Sequence, residues 1–502
     1  MTEALRLLAD VGLWLLVAGV LIGVVPLLAA SYQFLLVALH HRRHHYGQVA
    51  RHLPRTAILI PAWNEEAVIG ASIDRLMQLE YPTESLRICV VDDASTDGTP
   101  DVVRAKMAEY PGSVVHMRRE QGGQGKAHTL NHGLALLLED DWMEALLIMD
   151  ADVIYEPASL RLMTRHLADP KVGAVTAYIK EGSRPGSYLT RFIGYEYITA
   201  QAAARRSQNV LGVLACLAGG AQLHSRANVE AIGGRIDTSS LAEDTFTTFK
   251  TQVQGRRVVF EPHAVVWAEE PGSIDSLWKQ RLRWARGNVQ VTRQFKHLWF
   301  RSQPGHRLGS FSFGLFWFCL FLLPVIMIVA SACLVTLYFV DFPLSWRTFS
   351  LLWILNGVCY VFITGFALLI DPDTGRHTWK EGLAFPGLIS LAIILYACFP
   401  RPARWLLHHG PHALGVDLTT REVRAAVLFA YAWLALAMVV AWLAKLAEPR
   451  RFGRVLSPVL VYVVGYGPLL CAVTFTSYVK ELRGAAMTWD KTEKSGKVGM
   501  PT

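Results

Sequence analysis

The chain has few cysteines, none of them in a closely spaced pair, and few charged residues for its length. Among its 502 residues are seven cysteines, none of which forms a Cys-x-x-Cys pair. No zinc site or disulfide framework is therefore indicated. Charged residues make up 18% of the chain and hydrophobic residues 52%, a composition too apolar for a wholly soluble protein. The composition predicts a membrane protein with a soluble insert.

The chain also lacks the features of a nucleic-acid binder, a signal peptide and a phosphate-binding P-loop. The net charge of +8 arises largely beside apolar segments, as in the run from His40 to His45, so positive-inside anchoring explains it better than nucleic acid. No small-residue cleavage signal follows the first apolar run, which predicts a retained anchor. The stretch from Gly122 to Ala127 lacks the glycine spacing of a P-loop, and Ala127 stands where Ser or Thr would hold a metal.

Apolar segments of membrane length lie on both sides of a less apolar middle region. The run from Val11 to Leu39 suits one tilted or kinked helix. Five crossings after a cytosolic domain would place the basic tail outside, so we expect the shortest segment, 383–399, to be re-entrant or interfacial. The five C-terminal segments are Phe311 to Val340, Phe349 to Ile370, Leu383 to Phe399, Val427 to Leu446 and Val455 to Tyr478.

Between about residues 55 and 297, short apolar runs alternate with helical patterns. This alternation predicts a cytosolic α/β domain with a mainly parallel sheet, in which ligands bind beyond the carboxyl ends of the strands. Five strands are predicted: Thr56 to Ile60, Arg87 to Asp92, Val114 to Met117, Ala145 to Met149 and Val172 to Ala177. The predicted regions are an N-terminal anchor with a basic linker (1–50), the α/β domain (51–272), amphipathic interface helices (273–305), the C-terminal transmembrane region (306–480) and a cytosolic tail (481–502).

Acidic residues follow two of the predicted strands. Asp150 and Asp152 stand at i and i+2, so both carboxylates can face one cleft. One or two carboxylates plus substrate phosphates are typical of a magnesium site, although a solvated turn would show the same Asp-x-Asp pattern. Asp93 follows another strand and can accept hydrogen bonds from a base or ribose, while Asp97 is placed to cap the next helix. Lys126 opens a helix and can contact substrate.

Two further motifs fall on predicted helices. The side chains of Glu243 and Asp244 diverge by about 100°, so we expect only one to face the cleft, where Asp is a workable general base. The alternative is a carboxylate that only complements the helix dipole. Gln280, Arg283 and Trp284 share one face of an amphipathic helix predicted over 274–299, where Arg can clamp a diphosphate and Trp can stack on a sugar. Anchoring at the membrane interface is the alternative for this face.

Together these motifs resemble the processive, membrane-embedded family-2 glycosyltransferases, namely the cellulose, hyaluronan and poly-N-acetylglucosamine synthases. The resemblance covers about residues 55–297, through Asp-Ala-Asp at Asp150, Glu-Asp at Glu243 and Gln-x-x-Arg-Trp at Gln280. It implies a GT-A-like domain, a UDP-sugar donor, Mg²⁺ or Mn²⁺, and a growing polysaccharide as acceptor.

The resemblance also implies a role for each matched residue. Asp244 would be the catalytic base, and Asp152 would bind the metal with Asp150. Trp284 would stack on the terminal sugar of the acceptor. The remaining implied contacts are Pro61, Ala62, Asn64, Glu65 and Asp93 around the uridine; Lys126 and Asp150 at the nucleotide sugar; Glu243 as a further substrate contact; Gln280 and Arg283 at the diphosphate; and Gly219, Gly220 and Ala221 along the acceptor pocket.

The tail and the membrane segments extend this resemblance and also depart from it. The tail around Trp489 is similar to the gating loop of cellulose synthases, so Thr492 and Lys494 would close over the diphosphate; a charged tail without that role is the alternative. The stretch from Phe366 to Arg401 looks most like the bacterial poly-β-1,6-N-acetylglucosamine synthases. This chain adds two apolar segments beyond Arg401 and lacks an Arg-x-x-x-Arg PilZ module.

We therefore predict an inverting, processive transferase of the inner or plasma membrane, with its catalytic domain in the cytosol. It would polymerise a sugar, N-acetylglucosamine in the first instance, into an exopolysaccharide of the biofilm kind and pass it through its own helices. Whether an accessory subunit is needed stays open. One alternative is addition of a single sugar to a lipid acceptor. The other is a receptor or transporter that senses nucleotide sugars, although the first C-terminal segments lack the charges expected of a transport pathway.

Overall fold

The computed structural model describes residues 3–43, 49–413, 419–448, 453–487 and 498–499. The chain divides into two compact units. The first comprises Met1–Phe34 and Leu315–Val479, and the second comprises Leu35–Gly314 and Lys480–Thr502.

The second unit contains one sheet, whose strands are numbered in chain order. They are β1 (Thr56–Ala62), β2 (Leu86–Asp92), β3 (Val114–Arg118), β4 (Ala145–Ile148), β5 (Val153–Tyr155), β6 (Val172–Glu181), β7 (Gln222–Ser225) and β8 (Arg257–Ala268).

The helices are likewise numbered along the whole chain. They are α1 (Glu3–Leu21), α2 (Val25–Arg43), α3 (Ile69–Met77), α4 (Thr99–Glu109), α5 (Lys126–Leu137), α6 (Ser159–Thr164), α7 (Tyr188–Glu196), α8 (Ala204–Leu211), α9 (Arg226–Ala231), α10 (Glu243–Val253), α11 (Ile274–Gln294), α12 (Phe311–Phe321), α13 (Leu323–Phe339), α14 (Ser345–Ile370), α15 (Pro372–Ala384), α16 (Leu388–Cys398), α17 (Pro400–Ala413), α18 (Thr420–Ala447), α19 (Gly453–Val464) and α20 (Tyr466–Leu482).

The sheet is mixed, with the order β3-β2-β1-β4-β7-β6-β8-β5. Strands β3, β2, β1 and β4 are all parallel, and β6 is parallel to β8. Strand β7 runs antiparallel to both of its neighbours, and β5 runs antiparallel to β8. The predicted mainly parallel α/β sheet is confirmed, with antiparallel pairs confined to its second half.

A buried apolar core fixes the parallel half of the sheet against α5. Leu59 on β1, Val91 on β2 and Ile148 on β4 are fully buried and pack with Leu130 and Leu134 of α5. Strands covered on both faces read as continuous apolar runs, which is why these strands were predictable. Lys126, the first residue of α5, is thereby held at the edge of the sheet where the parallel strands end.

All five predicted strands are present, but three further strands were not predicted. Strand β7 has the sequence Gln-Leu-His-Ser, without an apolar run, and β5 has only three residues. Strand β8 contains Glu261-Pro262-His263, where its register against β6 shifts. The predicted amphipathic helix over 274–299 is observed as α11, which begins after the N-cap Ser273 and ends earlier, at Gln294.

The first unit is helical, and most of its helices are apolar. The stretch Ala9–Arg42 has the length and composition of one membrane span, as do α14 and α18. Three further pairs of shorter helices pass the same test only together, and each pair is bent at its break: α12 and α13 by 68°, α15 and α16 by 69°, and α19 and α20 by 94°. By length and composition the described residues thus contain three spans, or up to six if each bent pair is one span. The segments 311–340 and 455–478, each predicted as one apolar span, are both broken.

Two of these helix breaks meet through their backbones. Gly387 lies in the break between α15 and α16 and has φ +88°, and Gly465 lies between α19 and α20 with φ +106°. A Cβ on Gly465 would lie 2.6 Å from the carbonyl oxygen of Pro386 and 2.7 Å from the nitrogen of Gly387. Only glycine suits positions that combine a left-handed backbone with this lack of space.

Candidate active site

The loops after β1 and β2 are held together by hydrogen bonds between them. The backbone nitrogen of Asn64 donates to Ser95 Oγ at 2.9 Å, and Thr96 N donates to Asn64 Oδ1 at 2.8 Å. Asn64 and Ala94 both have a left-handed backbone, with φ of +54° and +56°. Such conformations persist only where the surroundings enforce them, and they cluster at binding sites.

The other residues predicted to surround uridine lie at the same edge. Pro61 and Ala62 end β1 and pair with Val91 and Asp92 of β2. The backbone nitrogen of Glu65 donates to Thr99 Oγ1 at 2.8 Å. Thr99 N also donates to Asp97 Oδ1 at 3.0 Å, so Asp97 holds the turn before α4, but the N-cap of that helix is Gly98 and not Asp97 as expected.

Asp93 explains the glycine-rich stretch that imitates a P-loop. Its carboxylate pairs with Arg119 and accepts a hydrogen bond from Gly123 N at 2.9 Å. Gly122 packs so closely on the backbone carbonyl of Asp93 that a side chain has no room there. The glycines therefore wrap around Asp93.

Lys126 joins residues from three distant parts of the chain. Its Nζ lies 2.5 Å from Asp150 Oδ1, after β4, and 3.7 Å from Glu243 Oε1, at the start of α10. It also donates to the carbonyl oxygen of Gly219 at 3.2 Å. The lysine and glutamate side chains are 8% and 7% exposed, whereas that of Asp150 is 39% exposed. The cluster is thus closed on one side and open at Asp150.

The charges within this cluster hold Lys126 protonated. Burial lowers the pKa of Lys126, but the carboxylates of Asp150 and Glu243 outweigh it and leave the pKa raised. Burial raises the pKa of Glu243; Lys126 opposes that rise, Asp244 adds to it, and Arg283 opposes it. Arg283 of α11 therefore acts on the same cluster.

The two acids that begin α10 both belong to this cluster. The sequence predicted that only one would face the cleft, yet Glu243 lies near Lys126 Nζ, and a Cβ on Gly219 would lie 3.3 Å from Asp244 Oδ2. Divergence along the helix does not separate them, because the same Cβ position on Gly219 would also lie 3.5 Å from Lys126 Nζ. Asp244 Oδ1 also accepts a hydrogen bond from Thr245 N at 2.6 Å.

The three residues predicted to line an acceptor pocket differ in position. Gly219 lies between Lys126 and Asp244, and a Cβ on Gly220 would lie 3.6 Å from Asp150 Oδ2. Ala221 is fully buried, and its carbonyl oxygen accepts a hydrogen bond from Thr176. The two glycines border the cluster, whereas the Ala221 side chain belongs to the interior.

The donor set at Asp150 and Asp152 suits a hard divalent cation. Asp152 lies in the turn before β5 and is 9% exposed. Across the described ranges, no group of three or more His, Cys, Asp or Glu side chains is arranged to hold a metal by itself. Magnesium is commonly held by one or two carboxylates together with substrate phosphates, so this pair fits a site completed by a diphosphate.

Helix α11 is fixed directly against the start of α10. A Cβ on Gly287 would lie 2.8 Å from the backbone nitrogen of Ala242, the residue before Glu243. Gln290 Oε1 accepts a hydrogen bond from Leu241 N at 2.9 Å. The position of the helix that carries Gln280, Arg283 and Trp284 is therefore fixed relative to Glu243 and Asp244.

Side chains near Gln280 form a buried network that sequence reasoning missed. Gln280 Nε2 donates to Glu270 Oε2 at 3.4 Å, and Tyr197 Oη donates to the other carboxylate oxygen. Arg281 pairs with Glu196 at 2.9 Å. Arg281 stands inside the Gln-Arg-Leu-Arg-Trp motif, and this position could have identified it as a functional residue. Its partner Glu196 lies far away in sequence and could not be identified in this way.

The start of the C-terminal tail is attached to α11. Arg286 Nε lies 2.6 Å from Glu481 Oε1, and its terminal nitrogens donate to the carbonyl oxygens of Ala485 and Ala486. The predicted gating residues Trp489, Thr492 and Lys494 lie outside the described residues.

Comparison with known proteins gives a consistent result. The family model described as "Glycosyltransferase like family 2" matches residues 54–287. "Probable glycosyltransferase YdaM" of Bacillus subtilis is 32% identical over 317 residues, which cover 62% of this chain and 73% of that protein. The poly-β-1,6-N-acetyl-D-glucosamine synthase of Staphylococcus epidermidis is 27% identical over 236 residues, covering 47% of this chain and 55% of that protein.

Among solved structures, the mannosyltransferase PcManGT of Pyrobaculum calidifontis, in complex with GDP-Man and Mn²⁺, is 21% identical. The match covers 76% of this chain and 99% of that one, with a TM-score of 0.49.

Proposed function

The chain belongs to glycosyltransferase family 2, and on this premise we propose that it polymerises a sugar from a UDP-sugar donor onto a growing polysaccharide. N-acetylglucosamine is the sugar we assign first, because a poly-β-1,6-N-acetyl-D-glucosamine synthase aligns with nearly half of the chain. The active site would lie on the cytosolic side of the cell membrane, and the product would leave through the apolar helices.

The observation that carries this proposal is the Lys126 cluster. It brings an acid after β4, an acid pair at the start of α10 and the backbone of Gly219 within a few ångströms of one ammonium group. Strand ends of an α/β sheet are where ligands bind. A half-exposed carboxylate beside a buried lysine and a partly buried base is an arrangement suited to group transfer.

Asp244 is the residue we assign as the base. It would take the proton from the acceptor hydroxyl as that oxygen bonds to the anomeric carbon and the bond to the phosphate oxygen breaks, releasing UDP. Attack from the face opposite the leaving group inverts the configuration at that carbon. Lys126 and Arg283 place positive charge near the departing diphosphate, where it stabilises the charge that develops.

A divalent cation fits the charge balance of this site. Three carboxylates, on Asp150, Glu243 and Asp244, are already balanced by three basic groups, on Lys126, Arg283 and Arg205. A nucleotide diphosphate adds further negative charge. Asp150 and Asp152 would hold Mg²⁺ or Mn²⁺, which when bound neutralises the diphosphate as a leaving group.

The proposal is tested by incubating the purified full chain with a panel of UDP-sugars and Mg²⁺ or Mn²⁺, while UDP release is measured. Products are then separated by size and digested with linkage-specific hydrolases. We expect UDP release with one donor and a long product that one hydrolase degrades. A product of one sugar on a lipid would replace polymerisation with single addition, and no UDP release from any donor would contradict the proposal.

A further inference from the structure

One face of the Trp284 indole is covered by a cation from its own helix. The guanidinium carbon of Arg281 lies 4.2 Å from the centroid of the Trp284 ring. The two residues are three apart on α11 and so lie on one side of the helix. A guanidinium over an aromatic face is attractive, and more so when it is removed from water. Arg281 is 5% exposed.

Arg281 is itself held from two sides. Its NH2 group lies 2.9 Å from Glu196 Oε2, and its NH1 group donates to Gln280 Oε1 at 2.6 Å. Glu196 is the last residue of α7, immediately before a π-helical stretch, Tyr197–Ala203. Such stretches are frequent at functional sites. The planar guanidinium is thus fixed by hydrogen bonds in its plane while its face lies on the indole.

Apolar side chains could pack against Trp284 without the desolvation free energy that the buried Glu196–Arg281 ion pair requires. Removing two charges from water is unfavourable, and a buried ion pair is often no more stabilising than apolar residues of similar volume. Glu196 and Arg281 are both largely buried, with side chains 11% and 6% exposed. A pair of this kind is better suited to fixing a geometry than to adding stability.

We propose that Glu196 and Arg281 are positioning residues for acceptor binding, and that they act through Trp284. The inference rests on the proposed function, in which Trp284 stacks on the terminal sugar of the acceptor. With Arg281 on one face of the indole, the sugar takes the opposite face. Glu196 determines the orientation of the ring by fixing the guanidinium that covers it.

The test compares the full chain with Glu196→Gln, Arg281→Met, Trp284→Ala and the double variant Glu196→Gln/Trp284→Ala. The KM for an added oligosaccharide of the transferred sugar is measured, together with UDP release in the absence of acceptor. We expect either of the first two changes to raise the acceptor KM about tenfold, a typical size for residues in contact. Release of UDP to water should stay unchanged. In the Trp284→Ala background, Glu196→Gln should have no further effect.

Glu261→Gln is the matched control, because Glu261 is also a buried carboxylate paired with an arginine, Arg165, at 2.7 Å. It should lower the thermal midpoint but leave the acceptor KM as it is. An equal rise in KM from Glu261→Gln, or a further rise from Glu196→Gln in the Trp284→Ala background, would reduce Glu196 to a general structural role and overturn the inference.

A second measurement does not depend on turnover. In the chain labelled with 5-fluorotryptophan, the ¹⁹F signal of Trp284 is assigned by its loss in Trp284→Phe. Glu196→Gln should shift and broaden this signal, because the ring loses its fixed cover. An unchanged signal overturns the positioning role even if the wild-type chain elongates a polymer. Absence of UDP release from the wild-type chain would instead contradict the proposed function, and the ¹⁹F result would still decide the orientation of the ring.

Discussion

Among single residues, Asp244 is the one on which the proposed chemistry depends. Asp244→Asn keeps an acceptor for Thr245 N but removes the base. General bases contribute roughly 10²- to 10⁴-fold, so UDP release in the presence of acceptor should fall by about that factor while the donor still binds. Turnover is measured by UDP release, and donor binding by calorimetry.

Asp101→Asn provides the control for this substitution, because Asp101 also lies in the first turn of a helix, α4, and pairs with Arg104. It should leave turnover unchanged. Wild-type turnover in Asp244→Asn would remove Asp244 from the role of base.

A second residue-scale prediction concerns the buried His224 on β7. Burial lowers the pKa of His224 to about 4, and its Nδ1 interacts with Asn228 Nδ2 at 3.1 Å. The unfolded chain takes up this proton near pH 6.5, whereas the folded chain does so only near pH 4. The contribution of neutral His224 to the free energy of unfolding is therefore fully present above about pH 6.5. It is lost as the pH falls towards 4, and the loss is on the order of 3 kcal/mol.

His224→Gln should flatten this dependence, because glutamine does not titrate. Thermal midpoints of the full chain, followed by tryptophan fluorescence between pH 7.5 and 4.5, should fall more steeply in the wild type than in the variant. His52→Gln, in the segment before β1, should retain the wild-type slope. Parallel curves for the wild type and His224→Gln would contradict the assignment.

At this scale the sequence indicated the motif residues but not their partners. Asp150, Glu243 and Asp244 were identified from short acidic motifs, and Lys126 from its place at a helix start. Glu196 and Glu270 were missed, because their partners Arg281 and Gln280 stand in a different motif and nothing local marks the pairing. Glu196 and Arg281 are 85 residues apart in the sequence, so only the folded chain brings these two buried charges together.

Among the structural elements, the contact between α11 and the start of α10 is the one that sets the site. In a helix interior alanine is normally more stable than glycine by about 1 kcal/mol. If there were space around Gly287, Gly287→Ala would therefore stabilise the protein. Here the added Cβ would meet the backbone of Ala242, and overpacking of this kind costs about 1–3 kcal/mol. We expect a lower thermal midpoint and reduced UDP release, because α11 must move away from the acid pair.

Gly272→Ala is the control, since a Cβ there would have nothing within 4 Å. Its thermal midpoint and turnover should match those of the wild type. If Gly287→Ala were as stable and active as Gly272→Ala, the close contact would not control the site.

Elements were predictable where burial is continuous along the chain. The parallel strands β1, β2 and β4 are buried on both faces and read as apolar runs. Strand β7 pairs on both sides, yet it is formed by Gln222, Leu223, His224 and Ser225, and only its neighbours β4 and β6 make it a strand. The antiparallel half of the sheet therefore depends on tertiary pairing that a pattern of hydrophobicity does not encode.

For the whole molecule, the testable expectation is its topology. If 383–399 is re-entrant, the basic stretch after it and the C-terminal tail both face the cytosol. Green fluorescent protein fused after Ala413, or at the C-terminus, should then fluoresce, whereas a fusion after Phe342 should be dark because that loop lies outside. A dark fusion after Ala413 would make 383–399 a full crossing and place the tail outside.

The meeting of Gly387 with Gly465 has a mechanical consequence for the membrane helices. The two bent helix pairs touch at their breaks, where the backbones of Gly387 and Gly465 meet with no side chain between them. A change in the bend angle of one pair would therefore change the bend angle of the other. A change in tilt that begins in α15 would therefore be relayed to α19 and α20, and the hydrogen bond from Tyr462 Oη of α19 to Glu381 Oε1 of α15 at 2.7 Å joins the same elements.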